Sequence, residues 1–190
     1  PAACPTLARM HFSRRIEHCP MCGTPVEHRI PPDDNRERAV CPACDHIQYV
    51  NPLNVVGTLP VWQDQVLLCR RNIEPRKGYW TLPAGFMELG ETTEEGAMRE
   101  TDEEAGAHIE LQGLYCLLNV VHAGQVHLFY RARLLDTEFN PGPETIEAQL
   151  FRQDEIPWAD LAFRTVKLTL EHYFADRESG QFGVHFADIN

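Results

Sequence analysis

Residues 85–107 read GFMELGETTEEGAMRETDEEAGA, and this stretch decides what kind of protein the chain encodes. It sets Glu91, Arg99, Glu100, Glu103 and Glu104 between Gly85 and Gly106. At roughly 100° per residue, Glu103 and Glu104 fall within about 60° of Glu100 on a helix, so the three share a face. Like charges at those spacings cost about 0.2–0.5 kcal/mol per pair. A hard divalent cation converts that repulsion into coordination, because carboxylate oxygens are the ligands Mg²⁺ prefers. Thr92 followed by Glu95 fits a capping box, and Gly106 sits where a helix ends. Met98, Thr101 and Ala105 are expected to form the opposite, sheet-facing side. The plain alternative is a solvated acidic stripe.

The full spacing goes beyond an acidic stripe. Gly85, Glu91, Arg99, Glu100, Glu103, Glu104 and Gly106 stand at the intervals G-x5-E-x7-R-E-U-x-E-E-x-G-U, where U is bulky and aliphatic. This pattern resembles the Nudix box, and the lead-in Tyr79-Trp80-Thr81-Leu82-Pro83-Ala84 resembles that family too. Thr101 and Ala107 depart from it at the two U positions, which concerns packing more than chemistry.

The resemblance implies an α/β class fold, the Nudix α/β/α sandwich with a mixed sheet, and hydrolysis of a nucleoside diphosphate joined to another group. It implies Mg²⁺ (or Mn²⁺) held by Glu100, Glu103, Glu104 and the Gly85 carbonyl, with one acid free to serve as base. It also implies an orienting Glu91–Arg99 ion pair and a further acid in a later loop. Glu144 and Glu147 are the candidates for that acid, and Glu147 matches the family position more closely. Arg70, Arg71, Arg76 and Lys77 flank the approach to the box, and one or two of them could hold substrate phosphates.

Ahead of this region stand two knuckles, Cys19-Pro-Met-Cys22 and Cys41-Pro-Ala-Cys44, with eighteen residues between Cys22 and Cys41. That spacing suits a structural Zn²⁺ held tetrahedrally by four thiolates. Paired disulfides are the competing reading, but nothing else in the chain suggests secretion. His18, His28 and His46 lie near the knuckles yet are surplus to a closed four-sulfur site. Cys69 and Cys116 sit in apolar segments as buried small hydrophobes, and Cys4 has no partner pattern.

The organisation follows: residues 1–14 an N-terminal extension, 15–50 a zinc ribbon, 51–190 the Nudix domain. Residues 53–62 and 65–71 read as strands joined at Gln63-Asp64. Residues 111–121 and 126–135 form a second pair, Ala148 to Phe151 a short strand, 158–177 a helix, and 182–186 an edge strand. A net charge of −11 argues against nucleic acid as partner, since such affinity comes largely from Lys and Arg. No segment resembles a membrane span or a signal peptide, so a cytoplasmic location is expected. Symmetry and the family resemblance together make a homodimer the expected partner state, which no residue pattern tests.

A four-cysteine ribbon before a Nudix domain resembles two groups. One comprises NADH pyrophosphatases, which carry an SQPWPFP-type signature after the box; Gly113 to Gln125, GLYCLLNVVHAGQ, contains none. The other comprises short proteins that include plant plastid FAD and ADP-ribose pyrophosphatases and bacterial relatives. The run from Arg70 to Trp80, Pro141-Gly142-Pro143-Glu144, and Asp154-Glu155-Ile156-Pro157 through Phe163 resemble this second group. FAD or ADP-ribose, cleaved with release of AMP, is the implied substrate. NADH hydrolysis, or a Nudix fold that senses a nucleotide without cleaving it, is the alternative.

Overall fold

The structure, a computed structural model, describes residues 15–190; the expected extension at 1–14, with Cys4, lies outside the described residues. The chain forms two compact units, one ending at Pro52 and the other spanning Leu53–Asn190.

In the first unit, strands β1 (Glu27–Arg29), β2 (Arg38–Val40) and β3 (Ile47–Gln48) make a small antiparallel sheet. The knuckles flank it. Gly23 N donates to Cys19 O at 2.9 Å and Asp45 N to Cys41 O at 3.0 Å, closing each into a tight turn.

The second unit is built on a mixed sheet of eight strands. These are β4 (Leu53–Trp62), β5 (Gln65–Arg71), β6 (Trp80–Thr81), β7 (Ala84–Phe86), β8 (Ile109–Val120), β9 (Gln125–Leu134), β10 (Thr145–Phe151) and β11 (His185–Ile189). The main path runs β10-β5-β4-β9-β8-β11, with β6 beside β5 and β7 beside β4. β4–β9 and β8–β11 are parallel pairs, and the other pairs are antiparallel.

Helix α1 (Thr93–Ala105) covers one face and α2 (Arg164–Ser179) the other. The central strands are therefore buried on both sides, which is why β5 reads as an unbroken apolar run instead of an alternating one. Within it, Val66 and Leu68 join the core of Val166, Leu170, Tyr173 and Phe174 from α2. Leu67 and Cys69 point the other way, into a cluster with Ala105, Ala107 and Leu134. The unit is an α/β/α sandwich, as the box implies.

Two boundaries differ from expectation. The helical pattern from 158 begins as a 3-10 turn, Trp158–Asp160, and α2 starts only at Arg164. Between them Leu161 bridges Trp80 and Ala162 N donates to Trp80 O at 2.8 Å, which holds that segment extended. The final strand is displaced to His185–Ile189, where its backbone pairs with Cys116 through Val120. No helix is long and apolar enough to cross a membrane among the described residues.

Candidate active site

Helix α1 is fixed at both ends. Glu95 N donates to the Thr92 hydroxyl at 3.1 Å, and Thr92 N donates to the Glu95 carboxylate at 2.7 Å. Gly106 ends it in the left-handed region (φ 58°), and a Cβ there would run into the backbone of Asn140. The buried face is Gly96, Ala97, Thr101, Glu104 and Ala105. Met98, expected on that face, is 40% exposed instead. Thr101 explains its own departure from the aliphatic position. Its hydroxyl shares a 2.6 Å hydrogen bond with Thr58 of β4 and donates to Ala97 O at 2.8 Å. Two hydroxyls thus satisfy each other where a methyl contact would serve. Ala107 is buried in the Leu67–Leu134 cluster.

The charged side chains form one connected group. Arg99 grips Glu91 with two prongs, Nε to Oε2 at 3.0 Å and Nη2 to Oε1 at 2.8 Å. Its Nη1 also donates to Glu100 at 2.7 Å and Glu103 at 3.2 Å, and Nη2 donates to Phe86 O at 3.2 Å. Glu88 N donates to Glu91 at 2.7 Å. These donors, Arg99 first, hold the Glu91 carboxyl down at about 2. Arg99 therefore ties the loop after β7 to the helix.

Glu104 is in the opposite condition. It is 8% exposed and accepts a hydrogen bond from Ala84 N at 3.0 Å, with no basic side chain paired to it among the described residues. Burial pushes its carboxyl up to about 7, and the nearby Glu100 charge adds to the shift. Burial raises Glu100 as well, against the pull of Arg99. The Glu103 side chain is 59% exposed. Gly85 lies so close to Glu100 that an added Cβ would strike the carboxylate. The glycine is thus needed for the β7 backbone to reach the acids, and its carbonyl belongs to the same neighbourhood. Acids that disfavour their own charge in this setting could hold a cation, which would relieve both burial and repulsion.

The two later acids lie in different surroundings. Glu147 lies inside β10 and is engaged elsewhere, accepting from Arg70 Nη1 at 3.0 Å. It is Glu144 whose charge reaches Glu100 and Glu104. A register irregularity between Thr145 and Glu147 separates the two acids, and linear spacing does not reveal it. Of the four basic residues flanking the box, Arg71 is the one that acts electrostatically on Glu104. Trp80 packs edge-on against Phe151 with centroids 4.8 Å apart, a core role. Cys69 and Cys116 are buried, and burial pushes both thiols up, Cys116 to about 11.

In the first unit, the sulfurs of Cys19, Cys22, Cys41 and Cys44 all lie within 4.8 Å of one another. The pairs Cys22–Cys41, Cys22–Cys44 and Cys19–Cys44 stand at 3.5, 3.6 and 3.7 Å. Tetrahedral zinc with bonds of about 2.3 Å requires sulfurs about 3.8 Å apart, so the cluster fits that ion. His28 Nε2 lies 2.8 Å from Ile16 O and His46 Nε2 3.1 Å from Gln48 Oε1, both outside the cluster.

With ribbon, sandwich and acid-bearing helix in place, the class is that of a zinc-ribbon Nudix hydrolase. The chain belongs to the NUDIX family: residues 52–171 match the NUDIX domain and residues 17–50 match the Nudix N-terminal zinc ribbon. It is similar to a NUDIX hydrolase of known structure from Nitrosomonas europaea, 47% identical with a TM-score of 0.89, across 92% of this chain and 99% of that one. The ADP-ribose pyrophosphatase of Methanocaldococcus jannaschii is 30% identical over 128 residues, 65% of this chain and 75% of the relative. The NAD-capped RNA hydrolase NudC of Stutzerimonas stutzeri is 31% identical over 165 residues, 84% of this chain. The chain spans 56% of that relative's length.

Proposed function

We propose that this protein hydrolyses the diphosphate bond of a nucleoside diphosphate derivative in a reaction that requires Mg²⁺ or Mn²⁺, with ADP-ribose or FAD as substrate and AMP as product. The observation that carries the reading is Glu104, a buried carboxyl with no cationic side chain paired to it among the described residues, on the same helix face as Glu100. Glu100, Glu103, Glu104 and the Gly85 carbonyl are the proposed cation ligands. A bound divalent ion polarises phosphoryl oxygens and lowers the pKa of water. Arg99 and Glu91 orient the ligands, and Glu144 or Glu147 adds charge or accepts a proton; the influence of the Glu144 charge on Glu100 and Glu104 supports the first of these. Cys19, Cys22, Cys41 and Cys44 hold the structural Zn²⁺ of a ribbon over 15–50, ahead of a catalytic domain over 51–190.

ADP-ribose ranks first because the Methanocaldococcus relative acts on it by name. FAD shares its ADP half and rests on the sequence resemblance alone. The NudC relatives, with which this chain aligns across most of its length, favour a second reading, an NAD(H) or NAD-capped substrate. Cysteines used as metal thiolates suit a reducing compartment, hence the cytoplasm. A homodimer is proposed on symmetry grounds and would be read by sedimentation. Incubating the full chain with Mg²⁺ and ADP-ribose, FAD, NADH or NAD-capped RNA tests the assignment. AMP released fastest from ADP-ribose or FAD supports it; faster cleavage of NADH or the cap moves it to the second reading. No release from any of them, with binding intact, identifies a sensor.

A further inference from the structure

The last turn of α1 carries two of the proposed cation ligands at the end where acids suit a helix least. Asp102, Glu103 and Glu104 crowd its negative pole, and no basic residue lies in that turn to offset them. After Gly106 the helix has no further N–H to offer, so the carbonyls of Glu103, Glu104 and Ala105 need partners from elsewhere in the chain. Each has one. Gly142 N donates to Glu103 O at 3.1 Å, Asn140 N to Ala105 O at 3.0 Å, and Cys69 Sγ to Glu104 O at 3.8 Å. Two of the three donors lie in the loop 140–144, and it comes so close that a Cβ on Gly142 would strike Glu103 O. On its other side the loop is held by Asn72, just past β5. Asn72 donates from its backbone N to Glu144 O at 2.8 Å and from Nδ2 to Pro143 O at 2.9 Å. The residue is exposed, so its side-chain bond serves the loop and not the core. A continuous chain of hydrogen bonds thus runs from the end of β5 through this loop to the turn that bears the acids.

We propose that Asn72 is a positioning residue for the cation site: by pinning the loop 140–144 against α1, it keeps Glu103 and Glu104 wound in the helix beside Glu100. This rests on the proposed function, because it presupposes a divalent ion at those acids. In the full chain, N72A removes the Nδ2 donor and leaves the backbone bond. Amide hydrogen exchange at Asn140 and Gly142, whose N–H groups hold the turn, is expected to speed up about 3- to 10-fold, the scale of one lost hydrogen bond. Mn²⁺ affinity, titrated by electron paramagnetic resonance, should fall by a similar factor. With ADP-ribose, kcat/KM should drop at low Mg²⁺ and recover at saturating Mg²⁺, a dependence that a general loss of structure would not show. G142A displaces the same loop from the helix side, so N72A/G142A should bind Mn²⁺ no more weakly than G142A alone. Unchanged exchange at both amides, unchanged Mn²⁺ affinity in N72A, or losses that add in the double variant overturn the role. If the wild-type chain binds Mn²⁺ but cleaves no diphosphate ester, the proposed reaction fails, and the exchange and Mn²⁺ measurements still decide the role of Asn72. If the wild-type chain binds no Mn²⁺, the cation site and this role fall together.

Discussion

The ribbon and the sandwich each gather a set of like groups, four cysteine sulfurs in one and three helix acids in the other, but they hold them together by different means. In residues 15–52, Cys19, Pro31, Ala39, Val40 and Cys41 are the buried apolar side chains, and two of these belong to the sulfur cluster. So few contacts cannot offset the entropy of ordering the segment without help from an ion. In Leu53–Asn190, leucines, valines and aromatics from β4, β5, β8, β9 and α2 fill the core. The helix acids are carried on that scaffold and contribute little to it. A metal in the first unit would therefore be cohesive, whereas the divalent ion proposed for the second would be a reagent. One ion should be separable from the fold and the other not.

The largest effect should come from removing the ribbon's metal. A strong zinc chelator, or C41S, is expected to unfold residues 15–52 and leave the second unit folded. Two-dimensional amide NMR would show the signals of 15–52 collapsing into the random-coil range while those of 53–190 persist. Retained dispersion for both would erase the contrast.

Next, E104Q should lower turnover by about 100-fold or more, since cation binding contributes several kcal/mol to such transition states. Its thermal midpoint should not fall, because an amide is easier to bury than a carboxylate.

Glu104 also predicts a pH dependence. Its folded-state carboxyl titrates at about 7, above its ordinary value of 4.5, so the folded protein holds this proton more tightly than the unfolded chain. Its contribution to stability is full below the ordinary value, declines as pH rises towards about 7, and stays lost above that. Metal-free protein should accordingly lose stability across this window, and E104Q should flatten that component of the slope. Mg²⁺ should stabilise the wild type most above about pH 7, where the acid is ionised. Thermal midpoints across the range, with and without Mg²⁺, check each statement.

A smaller effect is expected inside the scaffold. T58V removes the β4 partner of the Thr101 hydroxyl, which keeps its bond to Ala97 O, and should cost about 1 kcal/mol, while the double variant T58V/T101V recovers part of the loss. Denaturant titration gives the coupling. Smallest of all, M98K should change stability by no more than about 0.5 kcal/mol, given the exposure of Met98.

What the sequence made legible was local. The run from Leu53 to Arg71, broken at Gln63-Asp64, is a hairpin because turn and strand signals adjoin, and β4 and β5 fall where those signals lie. The capping box and Gly106 bound α1 for the same reason. What it hid depends on partners distant in the chain. Trp80 holds Leu161 and Ala162 extended and delays α2, and Cys116 to Val120 select which tail residues become β11. Helical angle puts Met98 on the packed face, yet Thr101 and Glu104 fill the space under α1. The different surroundings of Glu144 and Glu147 depend on the β10 irregularity and on Arg70, and neither has a local sequence signal.

The most direct test of the central claim is anomalous diffraction from crystals of the full chain soaked in Mn²⁺. The account predicts a strong peak bounded by the carboxylates of Glu100, Glu103 and Glu104 and the Gly85 carbonyl, with Glu100 and Glu103 drawn away from Arg99. No peak there, with Arg99 still holding both acids, would contradict it.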